Sequence, residues 1–335
     1  MLDVTHLLDD FSMGGVTRAL TMFENPKLKG IARSKVLPMR ANLLLAPEMA
    51  ADVIVDHTPF SVRRMPFLAS LRLRNPKAMI VHVEHSYTRA FEEAQVRSKA
   101  RFRAMLRLGS LFCDRFICVS HAQERWLADT VGIAKDKLET IYPWSGRFEL
   151  LSLPLSKERA GRPLKLLAYG RYAEVKNFEN LIAAMCLCGP SAASLTIFGD
   201  GPNAHHLKNM AAEVPNVEVL GPTDNPGPYL ADCDAVIIPS RYEAFGLVAT
   251  EARLAGRAIL VSDVDGLPEQ VGNAGFVARM STSQDIVAAI RRARRAPLAA
   301  MGRAGRDDVS GQHREILRGW LDLLAQACAN RSVPV

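Results

Sequence analysis

The sequence predicts an α/β protein of two doubly wound domains. Three observations carry that reading. Short apolar, β-branched runs alternate with longer helix-like segments along nearly the whole chain. Several of the runs have no polar face, as in Leu195-Thr196-Ile197-Phe198 and Ala235-Val236-Ile237-Ile238. The alternation lapses once, between Tyr142 and Pro163. A strand apolar on both faces is covered on both faces, as in a parallel sheet flanked by helices. The same alternation run twice, with one break, implies two such sheets.

Taken in order, the first half offers strands at Asp3–Leu8, Lys35–Met39, Asp52–Val55, Ala78–His82, Arg115–Ser120 and Leu138–Tyr142. The second offers Leu164–Ala168, Ser194–Phe198, Val217–Leu220, Ala235–Pro239, Ala258–Ser262 and Gly275–Ala278. Tyr142-Pro143-Trp144-Ser145-Gly146-Arg147, then Pro154, a charged run over 157–159 and Gly161-Arg162-Pro163, reads as a linker. Domains are therefore expected over 1–145 and 160–312. The stretch from His313 to Ala329 has helical period, with Ile316, Leu317, Trp320, Leu323, Leu324 and Ala327 on one stripe.

Composition narrows the class. With 335 residues, 48% hydrophobic and 23% charged, the chain has apolar material for two cores and is not disordered. Its 6 cysteines, at 113, 118, 186, 188, 233 and 328, form no CxxC pair, which excludes a disulfide scaffold and suggests a reduced compartment. No run approaches about 18 apolar residues, so no membrane span is expected. MLDVTHLLDD carries acids where an export signal would carry Lys or Arg, which favours a cytoplasmic location. The net charge of +7 favours anionic partners without choosing among them. Between Arg63 and Arg107, eleven bases (Arg63, Arg64, Arg72, Arg74, Lys77, Arg89, Arg97, Lys99, Arg101, Arg103, Arg107) face three acids (Glu84, Glu92, Glu93).

Ligands of open α/β sheets sit beyond the carboxyl ends of the strands, so the loops there are where chemistry is expected. Gly14-Gly15 after the first strand could admit an anion to backbone amides at a helix start, although a bare tight turn would read alike. His82 and His85 flank Glu84 at the fourth strand's end. Residues i and i+3 of a strand face opposite sides, so a shared metal is not expected and a hydrogen bond to substrate is. A satisfied core histidine is an equal reading of His82. Arg171 and Lys176, five apart in one loop, can converge on a diphosphate or stand as solvated cations. Gly199-Asp200-Gly201-Pro202-Asn203-Ala204 fits G-x-G-x-x-A, a dinucleotide signature, or a tight strand-to-helix turn.

The most specific signal is Pro239-Ser240-Arg241-Tyr242-Glu243-Ala244-Phe245-Gly246-Leu247-Val248-Ala249-Thr250-Glu251. A buried strand ends, a helix starts near Gly246, and two carboxylates lie about two turns apart beside amides fit for a phosphate. Asp232-Cys233-Asp234 and Asp263-Val264-Asp265 both spell D-x-D. The first precedes its strand, the second lies in a turn, and no metal site is expected at either.

These segments resemble the retaining GT-B glycosyltransferases of the family-4 type (glycosyl transferases group 1). The resemblance is strong over Leu164–Ala278, in GRYAEVKNFENLIAA, IFGDGP, VEVLGP, PSRYEAFGLVATEA and SDVDGLPEQV. It is weaker over the first 145 residues, where Gly14-Gly15, the strand-end histidine and CVSHAQERWL carry it. The E-x7-E signature stands as Glu243 and Glu251. The fold so implied is GT-B: two Rossmann-like domains facing a central cleft, with the last helix, about 313–330, packing back on the first.

The resemblance also implies roles. Arg171 and Lys176 would neutralise the donor diphosphate, and Glu251 would bond the donor ribose. Glu243 and the Phe245, Gly246 and Leu247 backbone would hold the sugar and phosphates. Gly15 would bring amides to the phosphate, and Gly199 and Gly201 would shape the wall near the base. His85 best matches the family's sugar-contacting histidine, with His82 its competitor. The expected substrates are a UDP-, GDP- or ADP-linked sugar and a glycan or lipid-linked acceptor. No cofactor, metal or nucleic acid is expected. The basic 63–107 region would face an anionic membrane, placing the enzyme peripherally on its inner side. Two rivals are a nicotinamide-dependent oxidoreductase using the Gly199–Ala204 loop and a GT-B module that binds nucleotide without turnover.

Overall fold

The computed structural model describes residues 1–9, 15–40, 43–158 and 161–331. Gly14, with Ser12 and Met13, lies outside the described residues. The chain divides into two compact units, one of residues 1–146 with the chain from His313 onward, the other Arg147–Gln312.

The first unit holds six strands, β1 Leu2–Leu8, β2 Ala32–Pro38, β3 Val53–Asp56, β4 Met79–Glu84, β5 Arg115–Cys118 and β6 Leu138–Thr140. They pair in parallel in the order β2-β1-β3-β4-β5-β6. The order reverses between β1 and β3, so this is the unit's topological switch point. Strands β3 and β4 are buried at every residue, because helices cover both faces. Phe60, Phe67, Leu71, Leu106, Phe116 and Trp126 fill the core beside them.

Strand β2 begins three residues before the sequence suggests. Arg33, Ser34 and Lys35 are exposed there, and the polar side chains of an edge strand give no apolar signal. The last helix, Gln312–Arg331, buries the whole predicted stripe from Ile316 to Ala327. Trp320 meets Phe23 edge-on at 5.1 Å, and Arg115 Nε donates to Gln326 Oε1 at 3.1 Å.

The second unit holds β7 Leu164–Tyr169, β8 Ala193–Phe198, β9 Val217–Leu220, β10 Ala235–Ile238, β11 Ala258–Ser262 and β12 Gly275–Ala278. The sheet is again parallel, in the order β12-β11-β10-β7-β8-β9, with its switch point between β10 and β7. Alternate residues of each strand feed opposite cores. Leu166 and Ala168 pack with Leu181 and Met185, whereas Leu167 and Tyr169 pack with Leu230 and Ala252. This is the two-sided burial that the continuous apolar runs require.

One difference from the sequence reading is local. The expected linker contains a 3-10 turn, Phe148–Ser152, whose Leu150 is buried in the second unit's core, so that unit starts at Arg147. Proline and glycine had masked one anchoring leucine.

Trp320 ties the last helix to the first sheet. Trp320→Ala is expected to destabilise the first unit by about 3–5 kcal/mol. Thermal unfolding followed by tryptophan fluorescence should show an earlier transition, and an unchanged one would contradict this packing.

Candidate functional site

In the second unit the site begins where β7 ends. Gly170, at φ +135°, turns the chain, and the loop is then pinned at both ends. Tyr172 is buried and donates its hydroxyl to Leu220 O at 2.6 Å. Asn177 takes the left-handed conformation at φ 57° and donates Nδ2 to Met280 O at 2.8 Å. Arg171, just before the first pin, is exposed, without a side-chain hydrogen bond among the described residues, and Lys176, just before the second, is half-buried.

Lys176 reaches the neighbouring loop. Its Nζ lies 2.5 Å from Glu243 Oε2, which also accepts from Ser240 Oγ at 3.1 Å. Glu243 is fixed by its backbone as well, since its N–H donates to Asp265 Oδ2 at 3.1 Å. The two loops are clamped by Arg241, whose N–H donates to Val175 O at 2.8 Å. Groups from three loops, after β7, β10 and β11, therefore meet at the carboxyl ends of those strands, around the switch point.

Gly246 follows at φ +88°, capping the helix Leu247–Leu254. A Cβ there would stand 2.7 Å from Leu267 Cδ2 and 3.1 Å from Glu243 Cγ, so only glycine lets the turn pass so close. Gln270 Nε2 donates to Phe245 O at 2.6 Å and to Gly246 O at 3.1 Å. With those carbonyls held, the amide side of the turn and the helix start suit an anion.

Glu251 forms a second group. It is buried, accepts from Tyr169 OH at 2.8 Å, and has Arg147 Nε at 3.8 Å from its other oxygen. Tyr169 stacks on Phe198 with ring centroids 4.5 Å apart. A buried carboxylate needs such partners, and they hold its orientation.

The Gly199–Ala204 loop has a different reason for its glycines. A Cβ on Gly199 would fall 1.9 Å from Gly170 O, and one on Gly201 would meet Tyr172 O at 2.6 Å. The loops after β7 and β8 cross there, tied by Tyr172 N–H to Asp200 O at 2.7 Å and Asn203 N–H to Tyr172 O at 2.9 Å. The crossing accounts for both glycines without a dinucleotide.

In the first unit an exposed Gly15 opens a short helix, Gly15–Ala19, whose other residues are half-buried. The two competing histidines separate. His82 is fully buried within β4, stacked on Phe60 at 4.0 Å, and belongs to the core. His85 lies past the strand end, partly exposed, its Nε2 bonded to His57 Nδ1 at 3.0 Å. Burial holds its pKa down at about 4, with Glu84 opposing and His82 assisting, so the ring is neutral near pH 7.

Four participants escaped the sequence reading: Arg147, Tyr169, Ser240 and Asp265. Tyr169 ends an apolar strand and Ser240 closely follows one, positions that could have flagged them. Asp265 lay in a D-x-D weighed for metal binding, where no metal is expected, and was given no other role. Arg147 sat in the supposed linker, and nothing local tied it to Glu251. The first D-x-D is structural, with Asp232 pairing Lys165 and Asp234 pairing Arg162.

The sequence comparisons show the family, and the solved structures show the fold. Residues 163–295 match the profile described as Glycosyl transferases group 1, and residues 9–144 match Glycosyltransferase Family 4. The chain belongs to the family-4 glycosyltransferases. An uncharacterized 41.2 kDa protein in the cps region of Klebsiella pneumoniae is 25% identical over 246 residues, 70% of this glycosyltransferase and 67% of that protein. The O-antigen biosynthesis glycosyltransferase WbnH of Escherichia coli is 27% identical over 208 residues, 62% of this chain and 57% of its own length. The crystal structure of Anabaena HepE in complex with UDP and glucose superposes with a TM-score of 0.75 at 16% identity, covering 97% of this chain and 100% of that one. The glycosyltransferase accordingly has the GT-B fold.

Removing the Tyr169 hydroxyl takes from Glu251 the hydrogen bond it accepts at 2.8 Å. Tyr169→Phe is expected to cost about 1–3 kcal/mol of second-unit stability. Equilibrium unfolding in urea would reveal it, and an unaltered midpoint would mean that Glu251 does not rely on this bond.

Proposed function

We propose that this protein is a retaining glycosyltransferase. It moves a sugar from a nucleotide-diphosphate donor to a glycan or lipid-linked acceptor in surface polysaccharide or glycolipid synthesis. The observation that carries the reading is the contact of Lys176 with Glu243 at the switch point, beside the Gly246 turn. The O-antigen relative and the UDP and glucose bound to HepE support the substrate class.

The chemistry follows from charge. As the sugar–diphosphate bond breaks, positive charge develops at the anomeric carbon and negative charge on the leaving diphosphate. Lys176, Arg171 and the Phe245–Leu247 amides would stabilise that diphosphate, so the step does not call on a metal. Glu243 would hold a sugar hydroxyl while keeping Lys176 in place, Glu251 would bond the ribose, and His85 would meet a hydroxyl of the transferred sugar. Gly15 would offer backbone amides to the phosphate. The acceptor hydroxyl attacks from the leaving-group face and a phosphate oxygen takes its proton, so no carboxylate acts as nucleophile.

UDP-, GDP- and ADP-sugars with short glycan and lipid-diphosphate acceptors test the proposal. One donor should give a product whose anomeric proton coupling matches the donor's configuration, with turnover persisting in EDTA. Arg171→Ala should slow transfer about tenfold or more. An inverted product would refute the retaining mechanism, and nucleotide binding without transfer would favour a silent module.

A second reading concerns the basic region. Five of its eleven bases pair with acids: Arg64 with Asp56, Arg72 with Asp114, Arg74 with Glu48, Arg89 with Glu93, and Arg103 with Glu92. Arg63, Lys77, Arg97, Lys99, Arg101 and Arg107 are exposed, as are Val62, Leu73, Leu108 and Leu111. Among the described residues no helix is long and apolar enough to cross a membrane. We propose peripheral attachment through this mixed surface, at about 1 kcal/mol per base on an anionic leaflet. Reversing Arg97, Lys99 and Arg101 to Glu, with Arg103 left to hold Glu92, should abolish cosedimentation with anionic vesicles at low salt. Retained cosedimentation would remove the idea.

A further inference from the structure

Three imidazoles, His6 and His57 buried and His85 partly exposed, run in line through the first unit. His85 Nε2 lies 3.0 Å from His57 Nδ1, and His57 Nε2 lies 3.0 Å from His6 Nδ1. His6 Nε2 then lies 2.9 Å from the hydroxyl of Ser34, on the exposed edge strand β2. Successive ring planes are inclined by only 25° and 23°. The topology makes the line possible: His6 is on β1, His57 follows β3 and His85 follows β4, strands adjacent at the switch point.

We propose that His57 and His6 are positioning residues that lock His85 into one shared tautomer, so that its Nδ1 presents a defined donor or acceptor to a substrate hydroxyl. The role at the substrate rests on the placement of His85 proposed above; the shared tautomer does not.

The argument is a count of protons. A neutral imidazole carries one N–H and one lone pair. Both links join an Nδ1 to an Nε2, so neighbouring rings bond only if all three hold the proton on the same nitrogen. With protons on Nδ1, Ser34 donates to His6 and His85 donates outward. With protons on Nε2, His6 donates to Ser34 and His85 accepts. A mixed chain would set two lone pairs or two protons face to face inside the protein, which is costly. Among the described residues no group bonds His85 Nδ1, the atom the proposal turns toward substrate.

The surroundings keep the rings neutral. Burial lowers His6 to about 3 and pushes His57 well below its ordinary range, with His6, His85 and His82 adding repulsion. Glu84, on the other side, favours a charged His85 but is outweighed by burial. Phe23 stands edge-on to His6 at 4.3 Å. A cavity of about 20 Å³ beside His57 and His85, lined by Met22, Phe23, Trp144 and Trp320, has room for about one water.

Nitrogen-15 NMR of the histidine-labelled protein, with resonances assigned by single substitutions, reads each tautomer directly. From pH 6 to 8 the three rings should be neutral and share one tautomer. A charged ring, or different tautomers among the three, would overturn the proposal whatever His85 does. The positioning role is then tested by a cycle in transfer rate, using His57→Phe, which keeps the ring but breaks both links. His57→Phe should lose about tenfold or more in turnover, and should lose nothing further in a His85→Ala background. Independent, multiplying losses would make His57 merely structural and overturn the role. Full transfer by His85→Ala would overturn it too, by removing His85 from the substrate while leaving the tautomer result standing.

Discussion

A parallel sheet forces the loops after neighbouring strands together, and the ion pair of Lys176 with Glu243 depends on that constraint. The two residues are 67 apart in sequence and meet because β10 lies beside β7. Everything else in the second unit's site adjusts to the pair. Ser240 holds the carboxylate, Asp265 accepts from the Glu243 backbone N–H, Arg241 clamps the two loops, and Gly246 lets the helix start approach. A cation held against a carboxylate is preorganised: its position is set before substrate arrives, so little reorganisation is needed when the leaving group gains charge.

The same geometry recurs with different chemistry in the first unit. There the switch point lies between β1 and β3, and three neutral imidazoles occupy it instead of an ion pair. The contrast is physical. Lys176 and Glu243 are partly open to solvent, whereas the first-unit rings are desolvated and satisfy one another as neutral donors and acceptors.

Much of the fold was legible because burial on both faces writes itself into continuous apolar runs. All twelve strands appear near their expected positions, and the Ile316–Ala327 stripe is buried as its period requires. Legibility failed where burial and polarity part company. The start of β2 is polar because it is an edge, and Leu150 anchors a segment that proline and glycine made look like a linker. Within the site, residues in one loop were visible from spacing, as with Glu243 and Glu251. Partnerships across loops were not: Arg147 with Glu251, and His6 with His57 and His85, are products of strand order. The glycines of the loop after β8 matched a dinucleotide signature, yet a backbone crossing demands them.

The central claim is that Lys176 counters charge on a departing nucleotide diphosphate. Its most direct measurement is the single-turnover rate of sugar release for wild type and Lys176→Met, at saturating donor, with folding verified by circular dichroism. The account predicts a fall of about 100-fold or more at nearly unchanged donor affinity, because the charge is needed most in the transition state. A folded Lys176→Met that turns over at the wild-type rate would contradict it.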